Sequence, residues 1–497
     1  MPVQCSTKEI FLFYLTKDLI MSFSSIVTKI DDFVWGVPTI ILILATGLIL
    51  TISARGIQFT KLGRAFKGIF KKNEGEGELS GFAALCTALS ATIGTGNIVG
   101  VGTAIAAGGP GALFWMWIAA ILGTATKYAE CMLAIKYREV KPDGHVLGGP
   151  FYTIEKGMGR KWKWLAILFA VFGVLAGLMG IGTMTQINGI TSAVNMTFSN
   201  SGTAFVLKGN EYSWATVIGG AIVTIFAALV IIGGLKRISK VAEKVVPAMA
   251  IVYIFLGLSV IIMNASKIPA AFALIFKSAF GWKAMAGGAA GWVMKQVLDS
   301  MRKGIARGIF SNEAGLGSAP IAAAPVQTNE PVEQGLVNMT GTVIDTLIVC
   351  TMTGLAIVLA MTDAGFMDLY NANGWAGIEL TANALSNVLG GDGVSVHFLL
   401  MLCLAFFAFT TILGWDYYSE KCLEYLANGK MGIVMVFRIL YIVAIAIGPY
   451  FTVTTVFDIA DIFNGLMAIP NCVALIVLSG VVAKETKAYF DKYPKLQ

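Results

Sequence analysis

The sequence predicts an all-α polytopic membrane protein. Three observations predict it: a charge-poor composition, bilayer-length apolar segments along the whole chain, and basic residues collected in alternate loops. Of 497 residues, 56% are hydrophobic and 13% charged, with a mean hydropathy of +0.76. A soluble domain carries about 25% charged residues, so this chain cannot cover an ordinary water-facing surface, whereas lipid requires apolar side chains. The net charge of +7 sits in short loops between apolar runs, a pattern of membrane orientation rather than nucleic-acid binding.

A helix needs about 20 largely apolar residues to span the hydrocarbon. Eleven segments qualify: 33–53, 81–107, 110–135, 165–190, 214–234, 245–264, 304–326, 338–361, 397–415, 434–450 and 465–483. The expected organisation is an N-terminal extension over 1–30, a transmembrane domain over 31–484 and a cytoplasmic tail over 485–497. Met1 to Ile30 carries acids and lacks a basic n-region and a small-residue cleavage motif, so it does not read as a signal peptide.

Lysine and arginine set the expected orientation. The loop after the first span holds Arg55, Lys61, Arg64, Lys67, Lys71 and Lys72, and the loop after the third holds Lys136, Arg138, Lys141, Lys156 and Arg160. Lys236, Arg237, Lys240 and Lys244 follow the fifth, and the tail carries Lys484, Lys487, Lys492 and Lys495. Residues 362–396 hold Asp363, Asp368, Glu379 and Asp392 and no Lys or Arg. The N-terminus is therefore expected outside and the C-terminus inside. Two stretches disobey: 265–303, expected outside, is rich in lysine, and the next loop, expected inside, carries Glu330 and Glu333.

Two spans carry sequence that a plain helix disfavours. The second reads Ser90-Ala-Thr-Ile-Gly-Thr-Gly-Asn-Ile-Val-Gly-Val-Gly102 and the seventh Gly308-Ile-Phe-Ser-Asn-Glu-Ala-Gly-Leu-Gly-Ser318. Each glycine costs about 1 kcal/mol relative to alanine in a helix. The alternative is close helix packing through small residues, and Gly96 and Gly100 fit GxxxG spacing. Two such clusters, each with an Asn and a hydroxyl, favour broken helices near 91–98 and 308–317. They lie five spans apart, the spacing of two inverted five-helix repeats that each begin with a discontinuous helix. The repeats then cover approximately 81–264 and 304–483, and the first span is an extra helix.

Other chemistries are not supported. The seven cysteines are scattered without a CxxC pair and read as packing residues, and His145 and His397 are the only histidines, too few for a His-based metal site. Gly94-Thr-Gly96 lacks the third glycine and the preceding strand of a dinucleotide loop, and neither GxxxxGK[ST] nor HExxH occurs. No organic cofactor, nucleic acid or obligate protein partner is implied, and no enzyme motif is present.

Residues 108–123, Gly-Gly-Pro-Gly-Ala-Leu-Phe-Trp-Met-Trp-Ile-Ala-Ala-Ile-Leu-Gly, closely resemble the signature of the sodium:alanine (alanine or glycine:cation) symporter family. Gly94-Thr-Gly-Asn-Ile98, Gly148-Gly-Pro-Phe-Tyr-Thr-Ile-Glu-Lys-Gly157, Phe310-Ser-Asn-Glu-Ala-Gly-Leu-Gly317 and Ile344-Asp-Thr-Leu-Ile-Val-Cys-Thr351 are similar to that family as well. The resemblance runs from about residue 30 to the end. It implies an eleven-helix LeuT-type fold with a ten-helix inverted-repeat core, Na+ as coupling ion with H+ as the alternative, and alanine or glycine as substrate. It also implies a prokaryotic cytoplasmic (inner) membrane.

A zwitterion needs donors for its carboxylate and acceptors for its ammonium. A half-helix N-terminus offers free N–H groups and the positive end of a dipole, and Thr95, Gly96 and Asn97 fit its start. Unwound carbonyls around Phe310, Ser311 and Asn312 suit the ammonium. Glu313 fits equally a direct ligand or a group that satisfies backbone at the break. Gln186, in the fourth span, is either helix–helix glue or, as the resemblance implies, a substrate contact. Phe310 and Trp415 are candidate pocket walls, and as lone aromatics also plain core residues. Sodium prefers oxygen ligands; in LeuT-type proteins the eighth core helix supplies two hydroxyls, here Thr410 and Thr411, and carbonyls matching Ala91 and Gly94 complete the site. Thr411 also belongs to the expected substrate set. Alternatively both threonines bond back to their own helix. Asp345 is an intramembrane acid, either on an ion path or in a local network, and Glu130 is expected to pair with Lys127. The expected function is sodium-coupled symport of a small neutral amino acid by alternating access; a proton-coupled or broader neutral amino-acid permease, or a passive facilitator, is the alternative.

Overall fold

Long apolar runs give long helices. In the computed structural model, which describes residues 24–71, 75–142, 144–207, 210–281, 290–391, 393–451 and 453–493, nine helices are long and apolar enough to cross a membrane, or ten if a bent pair counts as one. In chain order the elements used below are α1 (Ser24–Ser53), α2 (Gly81–Thr92), α3 (Val101–Gly108), α4 (Ala112–Tyr137), α5 (Lys163–Met179), α6 (Met184–Thr197), α7 (Trp214–Ile231) and α8 (Gly234–Met263). They continue with α9 (Ala290–Asn312), α10 (Ala319–Ala323), α11 (Pro331–Ala360), α12 (Gly393–Leu426), α13 (Met431–Ile447) and α14 (Val453–Val477).

Most expected spans coincide with these helices, and three differ instructively. The first begins at Ser24, inside the expected N-terminal extension. The span expected over 304–326 begins as α9 by Ala290, stops at Asn312 and resumes only as the short α10. Before the break it carries Arg302 and Arg307, which pair with Asp32 and Asp461, so apolar content alone misplaces its start. The span expected over 165–190 is two helices, α5 and α6, interrupted at Gly180–Thr183. A Cβ on Gly182 would lie 2.6 Å from Trp415 Cβ, so the interruption lets α12 approach.

Burial sorts the helices into layers. Over its most apolar stretch α4 is 83% buried, whereas α7 is 28% and α8 33% buried. Ile218, Ile222, Ile225 and Phe226 on α7, and Ile251, Phe255 and Ile262 on α8, project outward, as lipid-facing side chains should. Around α4 pack α9, α10, α11 and α1, while α5, α6, α8 and α2 pack on α12. The two breaks are thereby enclosed by protein.

The basic segments after α1 and α4 and the C-terminal helix share one face. Helix Ser479–Lys492 reaches the loop after α1 through Arg64–Tyr489 (2.8 Å) and the end of α4 through Lys136–Glu485 (2.8 Å). The anomalous acids belong here: Glu333 pairs with Lys71 (2.7 Å) and Glu330 with Lys492 (2.6 Å). They answer basic neighbours in space, which loop-by-loop charge counting cannot register. Arg138 clamps the same face by donating to the carbonyls of Ala324, Val326, Thr328 and Glu76 at 2.6–2.8 Å. His145 ties Glu78, just before α2, to Glu424, at the end of α12, with Nδ1 and Nε2 at 3.2 and 3.0 Å. Beside this tie lies a cavity of about 1510 Å³ lined by Tyr152, Glu155 and Tyr425.

Bonds to Glu424 and Glu78 raise the His145 pKa from 6.5 to about 9, against burial and the Lys421 ammonium 3.0 Å from Nε2. A raised folded pKa contributes stability that is fully present below the unfolded value and fades as pH rises through the folded value. The difference in thermal midpoint between the wild type and His145→Gln should therefore be largest below about pH 6.5 and vanish as pH passes about 9. A difference independent of pH would show that the imidazolium is not the tie.

Candidate functional site

The site lies where the two broken helices meet. After α2 the backbone is extended at Ile93 (φ −80°, ψ 94°), resumes as a wide π-helical turn over Gly96–Gly100 and continues as α3, with the two arms bent by 49°. At the second break, contrary to the expected unwinding at Phe310, Ser311 and Asn312, these residues form the last turn of α9, so their carbonyls are those of a helix C-terminus. The backbone leaves the helix at Glu313, which takes φ +57°. A left-handed conformation at a non-glycine residue is uncommon and disfavoured. Side-chain bonds hold it here: Glu313 Oε1 accepts from Trp415 Nε1 at 2.6 Å and Oε2 from Ser318 Oγ at 2.5 Å. Gly315 and Gly317 continue with φ +94° and +80°, values that suit glycine alone.

Backbone freed in hydrocarbon must be answered by protein, and named side chains answer it. Gly94 N–H donates to Asn97 Oδ1 (2.8 Å) and Thr95 N–H to Gln186 Oε1 (3.0 Å). At the second break Gly315 N–H donates to Glu130 Oε1 (3.0 Å), and Asn471 Nδ2 bridges that oxygen (2.6 Å) and Gly315 O (2.9 Å). Glu130 thus turns to the break; it forms no ion pair with Lys127 among the described residues, contrary to the expectation from their spacing.

Asp345 fastens the breaks together. It lies in a π-helical stretch of α11, Val343–Cys350, and accepts from Asn97 Nδ2 (2.7 Å), Ser311 Oγ (2.8 Å) and Thr346 Oγ1 (2.7 Å). Asn312 Nδ2 also reaches Thr346 Oγ1 at 3.0 Å. The approach is close: a Cβ on Gly96 would lie 3.2 Å from both Phe310 Cδ1 and Ser311 Cα. Thr95, Asn97, Gln186, Phe310, Ser311, Asn312, Glu313, Asp345, Thr411 and Trp415 are all buried.

The two threonines of α12 differ. Thr411 Oγ1 reaches Ile93 O (3.3 Å) across the interface as well as Phe407 O (3.1 Å), and Gly94 lies against it. Thr410 Oγ1 bonds Phe407 O (2.9 Å) on its own helix and faces Met249 Sδ (3.7 Å). Ala91 packs on Gly414 one turn away. The structure therefore groups Thr411, Gly94 and Ala91 at the first break and leaves the Thr410 hydroxyl turned from it. Among the described residues no cluster of three or more His, Cys, Asp or Glu could hold a metal ion, so a cation here would rest on hydroxyl, carbonyl and single-carboxylate oxygens.

Sequence reasoning missed Asn471, Thr346 and the Arg307–Asp461 pair (2.8 Å), whose guanidinium lies 5.4 Å from the Phe310 ring centre and 5.2 Å from that of Phe457. Intramembrane charge was the available signal for Arg307 and Asp461. Nothing in the local sequence distinguishes Asn471.

Lipid-facing helices around paired helix breaks that are lined with polar groups define a multi-pass membrane transporter rather than an enzyme. The chain belongs to the sodium:alanine symporter family, whose model matches residues 20–496. It is 48% identical over 476 residues to an uncharacterized transporter of Haemophilus influenzae, covering 95% of this chain and 97% of that one. It is 44% identical to the sodium/alanine symporter AgcS of Methanococcus maripaludis, over 94% of this chain and 98% of that one. It is 38% identical to a probable sodium/glutamine symporter, GlnT, of Bacillus subtilis, over 92% and 89%. Its class is amino-acid:cation symport.

The close approach of the breaks generates a test. Gly96→Val puts methyl groups where Phe310 and Ser311 already stand, so substrate binding should be lost while membrane insertion and monodispersity persist. Gln186→Ala should weaken binding more mildly, by about 1.5–3 kcal/mol if its amide contacts a charged ligand group. Calorimetric titration of both purified variants checks this; wild-type affinity in Gly96→Val would dissociate the breaks from binding.

Proposed function

We propose that this transporter carries alanine or glycine together with sodium by alternating access, on a LeuT-type ten-helix core preceded by α1. The observation that carries the reading is the convergence of both breaks on one buried polar locus. The substrate carboxylate takes the N–H groups of Thr95, Gly96 and Asn97; to do so it displaces the Gln186 oxygen from Thr95, which frees the Gln186 amide as a further contact. The ammonium takes carbonyls around Phe310, Ser311 and Asn312, and Phe310, Thr411 and Trp415 wall the pocket. Sodium takes the carbonyls of Ala91 and Gly94 and the hydroxyls of Thr411 and Thr410, the latter after rotating away from Phe407. Glu313 holds the Trp415 wall, and Asp345 sets the spacing of the breaks. In this reading Arg307–Asp461 with Phe310 and Phe457 serves as the closure on one side of the breaks and the Arg138 and His145 ties as the closure on the other. Two separable closures are what alternating access needs. The basic face is cytoplasmic in this reading. Proton coupling is the second reading, favoured by the buried carboxylate of Asp345 between the breaks.

Uptake of labelled alanine into proteoliposomes separates the two. A 100 mV potential and a tenfold sodium gradient supply about 2.3 and 1.4 kcal/mol, enough for roughly a 500-fold alanine gradient per sodium. Concentrative uptake should follow sodium and survive a protonophore; uptake that ignores sodium and collapses with the protonophore would assign the ion as H+.

Pocket size gives a second test. A pocket walled by Phe310 and Trp415 should admit alanine and reject leucine, since overpacking costs about 1–3 kcal/mol, and Trp415→Ala should admit larger side chains. Equal wild-type uptake of leucine and alanine would refute the small pocket.

A further inference from the structure

Lys127 lies in the middle of α4, the most enclosed of the long helices, and is 2% exposed. Among the described residues its Nζ has no hydrogen-bond partner, and neither has Glu130 Oε2. An ammonium in that state is costly, so some compensating charge should hold it there.

Its direction follows from its helix neighbours. Residues four apart share a helix face. On that stripe Gly123 touches Ala314, since a Cβ there would lie 2.8 Å from Ala314 Cβ, and Cys131 accepts from Asn338 Nδ2 at 3.0 Å. Lys127, midway between them, projects between the second break and α11. The charges that face it come from three elements: Glu130 on α4, Glu313 at the second break and Asp345 on α11. Cys131 faces it as well. Each carboxylate is hydrogen-bonded, and wherever one is ionised Lys127 is the buried cation that all three share.

We infer that Lys127 is a tethered counter-ion, whose ammonium balances Glu130 and Glu313 at the second break and occupies electrostatically the place a second mobile cation would otherwise take. The inference rests on reading the breaks as the transport site. The first break, with Thr411, Gly94 and Ala91, then keeps the exchangeable ion, while the second break carries its cation permanently. Lys127 is a positioning residue, since it touches no substrate in this scheme.

The test is sodium-dependent thermal stabilisation of the purified full-length protein in detergent, with choline chloride holding ionic strength constant. Lys127→Met should raise the order of the sodium dependence by about one, because a mobile ion must now fill the vacated role. Lys127→Arg should behave as wild type, and the charge-balanced Lys127→Met/Glu130→Gln should return to wild-type order. A wild-type order and midpoint in Lys127→Met would overturn the inference. Should Lys127→Met prove polydisperse, the double variant decides: recovery of a monodisperse protein with wild-type sodium order supports charge balance, and its failure overturns it. Alanine is added in a separate arm. A wild type that sodium stabilises and alanine does not would reject the substrate reading, while the sodium orders still judge Lys127.

Discussion

A bilayer core offers no water to a broken helix, so every N–H and C=O released there must find a partner in the protein. That constraint organises this molecule. Two helices break at its centre, and the answering groups come from four other elements: Gln186 from α6, Glu130 from α4, Asn471 from α14 and Trp415, through Glu313, from α12. Each answering side chain ties a neighbouring helix to a break. Movement of a helix is thereby linked to the local geometry of the breaks.

The partners are of two kinds. Glu130 with Asn471 and Glu313 with Ser318 close short rings around the second break, so that break is held by several bonds at once. At the first break Gly94 N–H is answered by Asn97 and Ile93 O by Thr411, but Thr95 N–H depends on the single Gln186 oxygen. That one donor is therefore the one released by moving a single side chain. Asp345 spans the difference, since it holds Asn97 of the first and Ser311 of the second.

Much of this was legible in the sequence because the cause is local. Apolar length revealed the spans, and the glycine clusters at 94–102 and 308–317 revealed where two of them fail. Residues chosen from those clusters, Thr95, Gly96, Asn97, Phe310, Ser311, Asn312 and Glu313, do come together, with Asp345 and Gln186 between them. What escaped depends on packing. The break at Gly180–Thr183 lacks polar residues other than Thr183 and reads as ordinary apolar helix, yet it brings Gly182 against Trp415. The rotation that sends Thr411 to Ile93 and Thr410 to Met249 is set by how α12 lies on α2 and α8. Glu330 and Glu333 looked misplaced until Lys492 and Lys71 appeared beside them.

In the proposed mechanism the first break receives the substrate carboxylate in place of the Gln186 oxygen, and a structure of the protein determined with alanine and sodium decides it. The carboxylate should lie within hydrogen-bond distance of Thr95 N–H, with Gln186 Oε1 moved off that donor and Gly96 in contact with the ligand. Alanine bound in the cavity on the basic face, with the 3.0 Å Thr95–Gln186 bond intact, would contradict it.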